Sequence, residues 1–255
     1  MADTTAPRAE AADIAARRAL TAELGATLRH LTDEAVCTEA PEPALASALE
    51  AARQVARVLQ GHRRPPDRLA SLDNAVHGAR IHNPAAGPGN PIAPPLRVDR
   101  VDGDAVEAVV ELGRAYEGPP GFAHGGVTAL LLDEVLGRAV VEADRFGMTA
   151  GLTVHYRRPV PLRTPILLRA SVSETRGRTT TVTGTVRTQD APGTVLVEAT
   201  GLFVQPPPDK REAYFGGLVH ADGSSAADYR IQPSPQPRVG PGDERESAAG
   251  LVHHR

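Results

Sequence analysis

Along residues 106–112, Val106, Ala108, Val110 and Leu112 alternate with Glu107, Val109 and Glu111, which predicts a strand with one buried face. Further β-rich runs follow at 149–158, 165–175, 178–189 and 194–205, separated by Arg176-Gly177, by Asp190 to Gly193 and by a break at Pro159 and Pro161. Such short links predict an antiparallel meander. Between the early strands and this series lies a stretch at 125–144 that is apolar on almost every side, with Val127, Leu130, Leu131, Leu132, Val135, Leu136 and Val140. A helix of that kind has to be covered by a sheet. Two strands, a buried helix and four more strands therefore predict an α+β domain in which one long antiparallel sheet wraps a central helix.

The flanks read differently. Leu20, Leu24, Leu28 and Leu31 recur at helical spacing, as do Leu45, Leu49, Ala52, Val55 and Leu59, so residues 1–61 form a helical segment broken near Pro41 and Pro43. The Pro, Gly and Asn clusters of 62–95 (HRRPPD, NPAAGPGNPIAPP) predict an irregular connection crossing the surface to the main domain at 96–205. Residues 206–255 are rich in Ser, Pro, Gly and charge, and are expected to be mostly disordered, with Tyr214, Phe215 and Leu218 as the candidates to dock.

Composition narrows the chemistry. The 255 residues carry 28 basic and 31 acidic side chains, four Tyr, four Phe and no Trp, a poor composition for gripping nucleic acid. Cys37 is the single cysteine, which excludes an internal disulfide framework and a cysteine-based zinc site. Nine histidines fall in no metal-ligand spacing, so no metal is expected. Lys210, the sole lysine, lies in a polar segment and is a poor Schiff-base candidate. No apolar run approaches the roughly 18 residues that span a bilayer, and the first residues lack the pattern of a secretory leader, so a cytoplasmic protein without membrane contact is expected.

Candidate chemistry concentrates in YEGPPGFAHGGVTALLLDEVLGRAV, residues 116–140. A Gly-Pro-Pro-Gly turn leads to His124, Gly125 and Gly126 just where the helix begins, so free backbone N–H groups and the positive end of the helix dipole meet there. Those glycines suit either an oxyanion site or tight packing. Asp133 and Glu134 interrupt the apolar helix, where a carboxylate is costly unless it pairs with arginine or serves a site. Nine residues separate His124 from Asp133, about 13 Å along a helix axis and on opposite faces. If both act on one substrate, the acid comes from a second subunit. Among the basic residues of 157–178, Arg157, Arg158 and Arg178 are candidates to hold phosphate. Adjacent strand positions face opposite ways, so one of Arg157 and Arg158 is expected to reach it. Of His155 and Tyr156, likewise, one is expected to face the core. An HGG turn also suits a lipase oxyanion loop, but no G-x-S-x-G elbow accompanies it.

GPPGFAHGG, the aspartate nine residues after the histidine, MTAGLTVHYRRPVPL and EATGLFV resemble, in order and spacing, the hot-dog fold acyl-CoA thioesterases, in the branch of the phenylacetate-pathway enzymes and of thioesterase superfamily members four and five. The resemblance covers roughly residues 96–205. It implies a hot-dog fold, a homodimer or dimer of dimers, an acyl-CoA substrate, a place in lipid metabolism and no cofactor. It makes Asp133 the general base or nucleophile and Gly125 the oxyanion donor. Gly126 supports the turn, His124 orients or polarises the thioester, and Thr149, sixteen positions after the aspartate, assists. Gly118 stands where other hot-dog thioesterases carry Asn or Gln, so His124 or Thr149 takes over the positioning of water. A thioester needs little help to lose its thiolate, so one carboxylate and one oxyanion donor suffice. A non-catalytic acyl-CoA sensor and a hot-dog hydratase or dehydratase are the alternatives.

Overall fold

The computed structural model describes residues 6–73, 80–102, 105–220 and 223–226. Two helices, α1 (Ala6–Cys37) and α2 (Glu42–Gln60), precede strands β1 (Arg97–Asp102) and β2 (Ala105–Val110). Helix α3 (Gly125–Glu142) follows, then β3 (Met148–Tyr156), β4 (Ile166–Arg176), β5 (Thr179–Thr188), β6 (Val197–Val204) and a short α4 (Pro208–Phe215). All six strands form one antiparallel sheet, which covers the length of α3 as the alternation and the apolar helix lead one to expect. Val106, Ala108, Val110 and Leu112 are buried, and Leu131, Leu132, Val135, Leu136, Ala139 and Val140 of α3 pack among them. The helix stops at Asp144, whose φ of 56° is the left-handed turn that frees Arg145 N–H to bond Val140 O.

The strand order, β1-β2-β4-β5-β6-β3, departs from a simple meander. Residues 157–165 contain three prolines and cannot close a tight hairpin. They cross the end of the sheet instead, with Val160 buried and its carbonyl accepting from Ala123 N–H. β3 is thereby an outer strand bonded, among the described residues, only to β6, and seven of its nine residues are exposed. His155 and Tyr156 are therefore both exposed, since no second layer covers that end of β3. Nor is α3 fully enclosed: Leu130 is 37% exposed.

Outside the sheet, the structure adds to the reading of the flanks. Of the α1 leucines, Leu20, Leu24 and Leu31 are exposed and Leu28 is half-buried, and the closest backbone approach to the body is made by Gly25. A Cβ at Gly25 would stand 2.3 Å from Pro88 O, so only glycine admits this approach. Polar clamps complete the docking, from Arg29 Nη1 to Pro88 O and Asn90 O and from Ala115 N–H to Asp33 Oδ1. α2 buries no residue at all. The irregular connection does not simply cross the surface, since Ile81, Ala85 and Ala93 are buried and its turns are closed by Asn83 and Asn90. In 206–255, α4 and its sequel are folded: Phe215 meets Phe146 edge to face, Arg211 lies over the Phe146 ring, and Ala226 is buried. Residues 221–222 and 227–255, where disorder was expected, lie outside the described residues.

Candidate active site

His124 is the N-cap of α3. Its Nδ1 accepts the Gly126 N–H at 3.0 Å, while its carbonyl accepts from Val127 and Thr128. With Nδ1 spent as an acceptor, the neutral ring carries its proton on Nε2, which leaves the exposed His124 a donor there. The bonds of the turn leave the Gly125 N–H, at the first helical position, without an acceptor among the described residues. It stands at the positive end of the α3 dipole, a place that favours developing negative charge. Tyr156 closes the other side, its hydroxyl donating to Gly125 O at 2.7 Å. Phe122, Arg157 and Arg158 flank the same cleft. Arg157 is engaged by Glu198 at 3.0 Å, whereas no acceptor among the described residues holds the Arg158 guanidinium.

Asp133 lies more than two turns further along α3, on a separate cavity of about 420 Å³. Thr149 Oγ1 donates to Asp133 Oδ1 at 2.9 Å. Asp133 is half-buried rather than fully desolvated, because the cavity beside it is open. Glu134 shares this cavity, and its Oε2 accepts from Asn83 Nδ2 at 2.9 Å. Asn83, 9% exposed, is locked in turn by Ala85 and Ala86 N–H groups on its Oδ1. Arg80, Val135, Met148 and Phe203 complete the walls. Arg138, the arginine of α3, forms a buried pair with Glu142 at 2.8 Å.

The structure thus joins Asp133 to Thr149, and His124 to Gly125 and Gly126, but it does not join the two groups within one chain. Arg178 stands apart from Arg157 and Arg158. It sits at the β4–β5 turn, bonded to Gln205 O, beside the end of the sheet where β3 starts, whereas Arg157 and Arg158 follow the end of β3. Tyr156 and Asn83 escape a reading of local sequence, because they act on residues 31 and 51 positions away. Tyr116, whose carbonyl accepts from His124 N–H, has a phenol held above its ordinary pKa by burial, with Arg29 opposing and Asp33 adding to the shift. Among the described residues no three His, Cys, Asp or Glu side chains converge as a metal site would require, and no helix is long and apolar enough to cross a membrane.

A thioesterase superfamily model matches residues 120–194, the stretch from the turn before His124 through β5. A solved structure of a thioesterase superfamily protein is 35% identical, with 72% of this chain and 90% of that chain covered and a TM-score of 0.65. The chain belongs to the thioesterase superfamily. Its sheet around α3 is the superfamily's hot-dog fold. Acyl-coenzyme A thioesterase THEM4 from Xenopus laevis is 37% identical over 93 residues, 36% of this chain and 41% of that protein. THEM4 from Mus musculus is 33% identical over 98 residues, 38% of this chain and 42% of that protein. The chain therefore spans about two fifths of the length of these curated relatives. Residues 80–98, which furnish Arg80, Asn83, Leu96 and Val98 to the Asp133 cavity, precede the stretch matched by the superfamily model.

Proposed function

We propose that this chain hydrolyses acyl-CoA thioesters as a homodimer, with Asp133 of one protomer acting on a carbonyl held by Gly125 of the other. The observation that carries this reading is the tethering of the two half-sites to opposite ends of one outer strand. Thr149, the second residue of β3, bonds Asp133, and Tyr156, its last residue, bonds Gly125. The two positions are about 23 Å apart along an extended strand. Pairing β3 with its copy about a two-fold axis runs the strands antiparallel, and sets the start of one opposite the end of the other. Each Asp133 then faces the partner's Gly125. The exposed Leu130, Met148 and Tyr156 would be covered by the same step.

In that site the Gly125 N–H and the His124 Nε2–H receive the carbonyl oxygen as it gains charge. Asp133, oriented by Thr149, takes a proton from the attacking water. The tetrahedral intermediate collapses with cleavage of the C–S bond, and the departing thiolate takes up the proton. Arg158, whose guanidinium no acceptor among the described residues holds, binds phosphate of the CoA portion. The names of the THEM4 relatives support the choice of acyl-CoA as substrate.

Thiol release from a panel of short, medium, long and aryl acyl-CoAs tests the reading. The wild type should turn over at least one of them, and Asp133→Asn should lower kcat by about 10²- to 10⁴-fold while still binding the substrate. Binding without thiol release by the wild type would favour the sensor alternative and overturn hydrolysis.

A further inference from the structure

The peptide unit joining Gly125 to Gly126 is held at both ends. Its N–H donates to His124 Nδ1, and its carbonyl accepts the Tyr156 hydroxyl. The second of these bonds is not required by either partner. A carbonyl at the first position of a helix already accepts an intrahelical N–H. In a single protomer the tyrosine is 53% exposed, so there water could serve its hydroxyl instead. What the bond does is fix an orientation. Glycine has the least restricted backbone of any residue, so an external restraint matters most there. The close approach also depends on glycine, since a Cβ at position 125 would stand 3.3 Å from Tyr156 Oη.

We propose that Tyr156 is a positioning residue for hydrolysis: its hydroxyl holds the Gly125 carbonyl and so restrains the φ and ψ of Gly125, which join this peptide unit to the preceding one, whose Gly125 N–H points at the thioester oxygen. This rests on the hydrolytic reading above and on Gly125 as the donor. A donor that is aimed before the reaction stabilises developing charge without reorganising, and one that wobbles loses part of that advantage. The effect belongs to the transition state and not to substrate binding, so it falls on kcat.

Tyr156→Phe in the full chain removes the hydroxyl and keeps the ring. With an acyl-CoA that the wild type hydrolyses, kcat should fall about tenfold and KM should stay within about twofold. A second readout needs no substrate. In protein labelled with ¹⁵N-glycine, the amide resonances of Gly125 and Gly126 should move in the variant, while those of Gly177 and Gly193, in distant turns, should not. An unchanged kcat, or a raised KM at constant kcat, would overturn the positioning role, the latter because it marks direct contact with substrate. If the wild type hydrolyses no acyl-CoA, the hydrolytic reading falls by itself, and the resonances decide the clamp: movement sustains it, and no movement removes it.

Discussion

His124 has two duties that substitution can separate. As the N-cap of α3 it accepts the Gly126 N–H, and asparagine does the same at other helix starts. His124→Ala should therefore cost about 1 kcal/mol in denaturant unfolding, while His124→Asn should leave stability close to wild type. Both should lower kcat, because neither keeps the imidazole Nε2–H. Gly125 offers a deletion of the other kind. Proline is at home in the first position of a helix and has no N–H, so Gly125→Pro removes the proposed oxyanion donor, while its Cβ crowds the Tyr156 hydroxyl. A fall in kcat of at least about 10²- to 10³-fold is the expected result, with the melting temperature lowered only as far as the Tyr156 contact is lost. The residues of this half-site and Asp133 were legible in the sequence because they lie within one turn and one helix, at fixed offsets. Tyr156 and Asn83 were not, since their bonds join distant segments and leave no periodic trace.

At the scale of elements, α3 is what both half-sites hang on, and its anchorage is apolar. Leu136 is fully buried against the sheet, with side-chain atoms close to Gly184 and Gly201 of β5 and β6. Leu136→Ala should cost about 2–5 kcal/mol in equilibrium unfolding, and should lower activity only as far as the folded fraction falls. The strands and this helix could be read from alternation and from an apolar run, because each buries a face against the same core. The position of β3 could not. Alternation shows that a strand exists, but whether it lies inside a sheet or at its margin depends on which strands it meets after the chain crosses from Tyr156 to Ile166. The docking of α1 was not legible either: the helix meets the body through Gly25 and the polar clamps of Arg29 and Asp33, which leave no periodic trace.

For the whole molecule, the decisive issue is that one chain contains both halves of the proposed site and keeps them apart. Two inactive variants can be made to complement each other if the site is shared. Chains carrying Asp133→Asn and chains carrying Gly125→Pro, co-expressed with different tags and purified through both, form a mixed dimer. One of its two sites then pairs an intact Asp133 with an intact Gly125, and the other carries both defects. About half of the wild-type kcat per dimer should return, although each variant alone is nearly inactive. A mixed dimer no more active than its parents would contradict the shared site.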